Sequence, residues 1–189
     1  MRLFLAGAAV AGVLASTTRA ADSSAVQTFL QRVNEYAQIR KTAVAGIPAL
    51  SKMAQPTDIT NHEKALVDAI RKARPNAKPG DLFTPQIKPV FAKVIKSNLS
   101  GPANKDSRET VKQGNPTKET MAGEAVPVVQ VNAVYPRSAT LSRVPPPLLL
   151  QLPQLPAGIE YRFVGSTLIL LDTESNLIID YMKEVAPPL

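Results

Sequence analysis

The chain has 189 residues, a formal net charge of +7 and no cysteine. Without cysteine, disulfide scaffolds, thiolate metal sites, cysteine nucleophiles and iron–sulfur clusters are excluded, so an apolar core must hold the fold together. One histidine excludes sites built from two imidazoles, and 5 Phe, 4 Tyr and no Trp argue against stacking platforms for nucleic acid.

The first segment of the chain has the pattern of a signal peptide over residues 1–20. Arg2 precedes an uncharged apolar run at residues 3–14, and the small residues Thr18 and Ala20 favour cleavage after Ala20. This run is too short for a permanent membrane anchor, and no later segment reaches about 18 apolar residues. We therefore expect a periplasmic or secreted protein that is not an integral membrane protein.

Residues 21–100 are predicted to form a helical unit. Apolar residues recur at helical spacing over residues 23–44, where Ser23 or Ser24 is the expected N-cap and Gly46 lies just beyond the end. The spacing predicts a first helix with one apolar and one polar face.

Two further helices are expected in the same unit. Thr60 and Glu63 have the spacing of a capping box, and the apolar pattern that follows them stops at Pro75. Thr84 followed by Pro85 is typical of an N-cap with proline at the first helical position, and an apolar stripe continues from there. The unit thus contains three predicted helices.

The middle of the chain changes character twice. Residues 101–125 are polar and weakly periodic, which predicts a connector with one helical turn around residues 108–112. Valines alternate with polar residues over 126–135, which predicts a strand. Residues 144–156 are rich in proline and leucine, and they are predicted to form either a short helix or an extended segment. They either cover the sheet as core or dock a partner, and their apolar density favours the core.

The C-terminal end carries the clearest pattern. Three apolar segments, 159–164, 167–172 and 177–182, are predicted as antiparallel strands, with a two-residue turn at Gly165-Ser166. This turn predicts the cross-strand pairs Tyr161–Leu170, Phe163–Leu168, Glu160–Leu171, Arg162–Ile169 and Val164–Thr167. The middle strand is apolar on both faces and needs cover, for which the three helices are the expected source.

The predicted fold class is therefore α+β, with an N-terminal three-helix unit followed by a small C-terminal antiparallel β-meander. Four segments follow one another: the signal peptide at 1–20, the helical unit at 21–100, the polar connector at 101–125 and the β-rich unit at 126–189.

Two parts of the chain carry a resemblance. The motif Gly-Asp-Leu-Phe-Thr-Pro at residues 80–85 and the C-terminal strands resemble an uncharacterised family of exported bacterial proteins, and this likeness extends over nearly the whole chain after the signal peptide. The hairpin around Val164-Gly165, which follows Pro156 and Gly158, is similar to the periplasmic nickel/cobalt-homeostasis protein family. The resemblance implies a fold and a compartment, while the histidines expected for a soft-metal role are missing.

Three carboxylates near the last turn are candidate metal ligands: Asp172, Glu174 and Asp180. Calcium takes about six to eight oxygen ligands, of which these side chains can supply a few. No Asp-x-Asp-x-Asp-Gly loop is present, and carboxylates at a β-turn commonly serve solubility and local hydrogen bonds. The cluster raises two alternative functions, a periplasmic metal-handling accessory protein and a carboxylate-dependent hydrolase.

The common catalytic and cofactor motifs are missing from the sequence. It has no Gly-x-Ser-x-Gly elbow, no GxGxxG and no Walker loop, so no catalytic or cofactor-binding residue is predicted. His62 is the one histidine, and its neighbour Glu63 cannot face it on a helix. We therefore expect His62 to be an ordinary surface residue, and the protein to be no enzyme and to bind no cofactor.

Seven basic residues lie within 26 positions of the helical unit. They are Arg71, Lys72, Arg74, Lys78, Lys88, Lys93 and Lys96. Such a face attracts an anionic envelope component or another exported protein, although a solvated helix exterior accounts for the same charges. By elimination, the sequence predicts a non-catalytic, exported binding or interaction module of the bacterial envelope.

Overall fold

Helices form most of the chain up to Gln113, and an antiparallel sheet, preceded in part by the short helix Pro146–Leu149, follows from Ser142 onward. This computed structural model describes residues 11–116 and 127–187, with side chains from residue 22 onward. Its helices are α1 (Ala11–Val44), α2 (Pro56–Ala73), α3 (Lys88–Leu99), α4 (Lys105–Gln113) and α5 (Pro146–Leu149). Its strands are β1 (Ser142–Arg143), β2 (Ile159–Val164), β3 (Thr167–Asp172) and β4 (Leu177–Met182). The fold class is α+β, as the sequence predicts.

α1 ends at Val44 as predicted, but it begins before the predicted cap. The helix is continuous through Ser23 and Ser24, and the carbonyl of Ser24 accepts a hydrogen bond of 3.0 Å from the Thr28 hydroxyl. No glycine or proline interrupts residues 13–44, so nothing in the sequence ends the helix at the serines. The prediction of an N-cap there was wrong, and the predicted cleavage site after Ala20 lies within α1.

The starts of α2 and α3 also differ from the prediction. At α2, the capping carboxylate is Asp58, which accepts the Gln55 backbone N–H at 2.9 Å, so Thr60 lies inside the helix. At α3, Thr84 begins only a turn, in which its carbonyl accepts the N–H of Lys88 at 3.2 Å. The next bond of a helix would join the N–H of residue 89 to the carbonyl of Pro85, but Pro89 has no N–H. The helix therefore starts later, at Lys88.

α4 is longer than the single turn expected in the connector. It covers Lys105–Gln113 and buries Val111 completely. The hydroxyl of Ser142 donates to the carbonyl of Val111, which joins α4 to β1. A Cβ at Gly114 would lie 2.5 Å from the Ser142 Cα, so only glycine permits this approach.

The sheet has the order β1-β2-β3-β4, and every neighbouring pair is antiparallel. The β2–β3 register is the predicted one, with Phe163 opposite Leu168 and Arg162 opposite Ile169. β1 adds two pairs at the edge, including Arg143 opposite Arg162. The predicted hairpin is therefore confirmed pair by pair.

The helices cover one face of the sheet, as expected. The aromatic rings of Phe29, Phe83, Phe91 and Tyr161 form its centre, with ring centroids 5.1 to 5.9 Å apart for the pairs Phe29–Phe83, Phe29–Phe91, Phe83–Phe91 and Phe91–Tyr161. Alternate residues of β2 and β3 complete this first core.

The opposite face is covered by the segment that precedes β1. Tyr135 and Ala139 pack there against Ile169, Leu171 and Ile178 to form a second core. The predicted strand at 126–135 is wrong over its described part, residues 127–135, which makes a single bridge between Val134 and Leu177. Pro127 and Pro136 lack N–H donors, and Asn132 has a φ of 63°, so the segment cannot extend a ladder.

No helix within the described ranges, 11–116 and 127–187, combines the length and the apolar character needed to span a bilayer.

Candidate functional site

Asp172 lies at the end of β3 and is completely buried. Its Oδ2 accepts a hydrogen bond of 2.9 Å from the Tyr36 hydroxyl and lies 2.5 Å from Nε of Arg40. Its Oδ1 accepts the backbone N–H groups of Glu174 and Ser175 at 3.1 and 3.2 Å. The carboxylate therefore ties α1 to the β3–β4 turn, and both oxygens are engaged.

The groups around Asp172 have shifted protonation equilibria. Burial, followed by the negative charge of Asp172, raises the pKa of Tyr36 far above its ordinary value. Burial alone would lower the pKa of Arg40, but the carboxylates of Asp172 and Glu174 outweigh it, so the pKa of Arg40 is raised. Tyr36 thus stays neutral and Arg40 stays charged at neutral pH.

Glu174 and His62 come together beside this network. The Glu174 carboxylate pairs with Arg40, and its Oε1 lies 3.9 Å from Nε2 of His62. The His62 side chain is 11% exposed, so it is more enclosed than an ordinary surface residue. The sequence offers Glu63 as the nearest carboxylate to His62. In the structure the carboxylate that approaches the His62 ring is that of Glu174.

Asp180, in β4, is also completely buried. Its Oδ2 accepts the backbone N–H groups of Leu82 and Phe83 at 2.8 Å, and its Oδ1 accepts those of Gly80 and Tyr181 at 2.9 and 2.8 Å. Gly80 has a φ of 88°, which turns the chain toward this carboxylate. We call Asp172 and Asp180 the aspartate anchors.

Two of the three predicted metal ligands, Asp172 and Glu174, therefore share Arg40, and the third, Asp180, lies apart from them. Glu174 lies next to Asp172 across Arg40, while Asp180 holds the turn before α3. Among the described residues, no group of three or more histidine, aspartate or glutamate side chains is arranged to hold a metal ion. The oxygens of both anchors are already engaged by protein donors.

The seven predicted anion-binding residues divide into two groups. Arg71 donates from Nε and an η nitrogen to the carbonyl of Asn132 at 2.9 and 2.8 Å, and Arg74 lies 4.9 Å above the Tyr36 ring. These two arginines therefore join α2 to the segment around Asn132 and to α1. The side chains of Lys72, Lys78, Lys88, Lys93 and Lys96 are exposed.

A ligand-sized space lies elsewhere, along the edge of the sheet. A groove of about 610 Å³ runs between β2 and the segment that contains α5. Its lining residues are Arg143, Val144, Leu149, Leu150, Leu152, Pro153, Gln154, Leu155, Ile159, Glu160, Tyr161 and Arg162. We call this space the edge groove.

One wall of the edge groove comes from α5 and the residues after it. The carbonyl of Pro145 accepts the N–H groups of Leu148 and Leu149 at 3.0 and 2.9 Å, which forms the short helix. Successive helical residues point in different directions, so Leu148 is buried in the first core while Leu149 and Leu150 face solvent. Leu150 is 86% exposed. The segment 144–156 is therefore both core and exposed apolar surface.

Two hydrogen bonds fix this wall in place. The Tyr161 hydroxyl donates to the carbonyl of Pro153 at 3.0 Å, and the side-chain amide of Gln151 donates to Oδ1 of Asn98 at 3.0 Å. Burial also raises the pKa of Tyr161, so its hydroxyl remains a donor through neutral pH. The groove is thus built by bonds to β2 and to α3.

The other wall is β2, whose alternation divides the edge groove chemically. Ile159 and Tyr161 belong to the first core, so their side chains lie on the helix-covered face. Glu160 and Arg162 point to the opposite face because successive strand residues alternate. Arg143 shares that face, since it pairs directly with Arg162. The groove therefore has an apolar side and a charged side.

Charge is incompletely balanced on the charged side. Arg162 is paired with Glu160. None of the acidic side chains in the described residues lies within ion-pair distance of Arg143, which is exposed. Like charges directly opposite each other on neighbouring strands destabilise a sheet. Sequence reasoning missed this pair because β1 has only two residues and meets β2 from far along the chain.

Comparison of the chain with protein-family models, with curated proteins and with solved structures gives no match.

Proposed function

We propose that the protein is a non-catalytic, exported binding module of the bacterial envelope and that its ligand occupies the edge groove. The observation that carries this proposal is the groove itself, which has a volume of about 610 Å³ and is walled by exposed leucines. Pockets for small molecules have volumes of about 300–1,000 Å³ and mostly apolar walls with a few polar groups. The signal-peptide pattern at residues 1–20 supports the compartment.

The position of the leucines supports binding rather than core packing. Leu148, Leu152 and Val144 fill the first core from the same segment, so the fold has what it needs without Leu149 and Leu150. Contact with a ligand would remove these two side chains from water and stabilise the complex by about 25 cal/mol per Å² of apolar surface.

Fluorescence of the uncharged probe N-phenyl-1-naphthylamine tests the groove. We expect saturable binding that weakens about tenfold or more in Leu150→Asp, because a carboxylate would then stand beside the apolar wall. Met53→Asp is the matched control, since Met53 is also 86% exposed and does not line the groove. Equal losses in the two variants, or no loss in Leu150→Asp, would reject the proposed site.

The metal-handling and hydrolase alternatives stay predictions from the sequence. No observation among the described residues favours either of them over the groove. Unfolding with and without millimolar nickel, cobalt or calcium tests the first, because a ligand at 100 times its Kd adds about 2.7 kcal/mol of stability.

A further inference from the structure

We infer that the ligand of the edge groove is a single-chain amphipathic anion, a fatty acid whose acyl chain lies on the leucine wall and whose carboxylate binds Arg143. This inference rests on the proposed function and assigns its ligand class. It is carried by the division of the groove into two chemically different sides and by the unbalanced arginine pair.

The apolar side matches an acyl chain. Leu149, Leu150, Leu152 and Leu155 lie along it together with Ile159. These side chains offer contact area but no hydrogen-bond donors, which suits a methylene chain and not a polar ligand. A volume of about 610 Å³ holds one such chain, and its open side gives the head group access to solvent.

The charged side matches a carboxylate. Arg143 and Arg162 stand directly opposite each other on β1 and β2, and within residues 11–116 and 127–187 an acidic partner, Glu160, is found for Arg162 alone. An anion beside Arg143 would balance the positive charge that Arg143 places opposite Arg162 on the neighbouring strand. Arginine binds carboxylates through two parallel N–H···O bonds, which gives the head group a fixed place.

Glu160 lies on the same side and competes for Arg162. Its side chain is 46% exposed and its carboxylate contacts Arg162 within the groove. A bound fatty acid therefore meets Arg162, which Glu160 already occupies, and Arg143, for which the described part of the chain holds no carboxylate within ion-pair distance. This arrangement predicts that neutralising Glu160 strengthens anion binding, whereas neutralising Arg143 weakens it.

Displacement of N-phenyl-1-naphthylamine by three single-chain ligands tests the inference. Decanoate, decanol and decyltrimethylammonium have alkyl chains of nearly equal length and differ mainly in the charge of their head groups. We expect decanoate to bind about tenfold more tightly than decanol, and decyltrimethylammonium to bind more weakly than both. Affinity for the alkanoates is expected to rise about tenfold for every two added methylenes.

Three variants locate the head group. Arg143→Gln is expected to weaken decanoate binding about tenfold and to leave decanol binding unchanged. Glu160→Gln is expected to strengthen decanoate binding about threefold, since it frees Arg162. Lys88→Gln, which removes an exposed charge of the predicted basic face, is the control for net charge and is expected to change neither affinity.

The outcomes separate the inference from the function on which it rests. Equal binding of decanoate and decanol, equal losses in Arg143→Gln and Lys88→Gln, or displacement by phosphatidylglycerol vesicles but not by decanoate would overturn the fatty-acid ligand while the groove stands. A probe signal that does not depend on Leu150 would instead overturn the proposed function.

Discussion

The aspartate anchors and the edge groove differ in how many of their side-chain groups already have a partner within the protein. At the anchors, both oxygens of Asp172 and of Asp180 accept hydrogen bonds from two elements of the fold each. At the edge groove, Leu150 faces water and Arg143 has no acidic partner among the described residues.

The difference separates residues that hold the fold from residues available to a ligand. A buried carboxylate with every lone pair engaged has nothing left to offer a metal or a substrate, and its loss leaves buried N–H groups without acceptors. An exposed leucine or arginine contributes little to folding, so its contacts remain to be made. Mutations at the anchors should therefore affect stability, and mutations at the groove should affect binding.

Asp180→Ala is expected to have the largest effect. It removes the acceptor of three N–H groups in the turn before α3, those of Gly80, Leu82 and Phe83. We expect the free energy of unfolding in urea to fall by about 4 kcal/mol or more, because each unsatisfied buried donor costs about 1–3 kcal/mol. Asp81→Ala, which removes the acceptor of the Lys78 N–H alone, is the control and should cost about 1 kcal/mol. Similar losses would contradict the anchoring role.

Arg40→Met is expected to cost about 3 kcal/mol in the same measurement. The substitution keeps an apolar stem but leaves the buried carboxylate of Asp172 without its cationic partner. Arg137→Met is the matched control, since the Arg137 side chain that pairs with Glu63 is itself exposed, and the substitution should cost about 1 kcal/mol or less. If Arg40→Met also abolished probe binding in the folded protein, the separation between anchors and groove would fail.

Alkaline pH should produce a smaller effect through the tyrosines. Burial raises the pKa of Tyr135 to about 12 and that of Tyr36 further. Each group keeps its proton in the folded state after the unfolded chain has lost it, so its contribution to stability is complete below pH 10 and is lost as the pH rises through the folded pKa. We expect the free energy of unfolding to fall by about 1.4 kcal/mol per pH unit for each such tyrosine above pH 10.

Phenylalanine variants show which tyrosine causes the loss of stability at alkaline pH. Tyr36→Phe and Tyr135→Phe should each make the decline between pH 10 and 12 shallower by about 1 kcal/mol per pH unit. At neutral pH each should cost about 1 kcal/mol, for the lost bonds to Asp172 and to the carbonyl of Thr140. An unchanged slope in Tyr36→Phe would contradict the raised pKa of Tyr36, to which burial contributes most and Asp172 contributes next.

The local parts of the fold could be predicted from the sequence. Gly165-Ser166 fixed the register of β2 against β3, because a two-residue turn permits one pairing and the alternation selects the buried face. The ends of α1 and α2 were predictable for a similar reason, since glycine and proline stop a helix within a few residues. The start of α3 was not, because the effect of Pro89 competes with the N-cap pattern at Thr84.

The predicted strand at 126–135 failed for a tertiary reason. Its valine-rich pattern is typical of a strand, but the segment makes only a short contact with the edge of β4, through the backbone N–H groups of Asn132 and Tyr135, and then buries Tyr135 in the second core. The apolar pattern of β3 predicts that both of its faces are covered, and the sequence suggests the three helices as the cover. They cover one face, and the segment before β1 covers the other.

The candidate functional residues could not be grouped correctly from their positions along the chain either. Asp172, Glu174 and Asp180 lie close together along the chain, a spacing that suggests a shared metal, yet Asp172 and Glu174 both pair with Arg40 of α1, while Asp180 is bound by the turn before α3. Arg143 and Arg162 were not singled out, because nothing in the sequence between them indicates that β1 pairs with β2. Their proximity follows from the sheet order alone.

Alternation and turn residues along the chain determined the class of fold, the hairpin register and the apolar faces, since these depend on neighbours a few positions apart. The packing of distant segments decided which carboxylates became anchors and which arginines and leucines were left facing solvent. Such contacts join residues as far apart as Tyr36 and Asp172, and their geometry exists only after the helices and the sheet have packed.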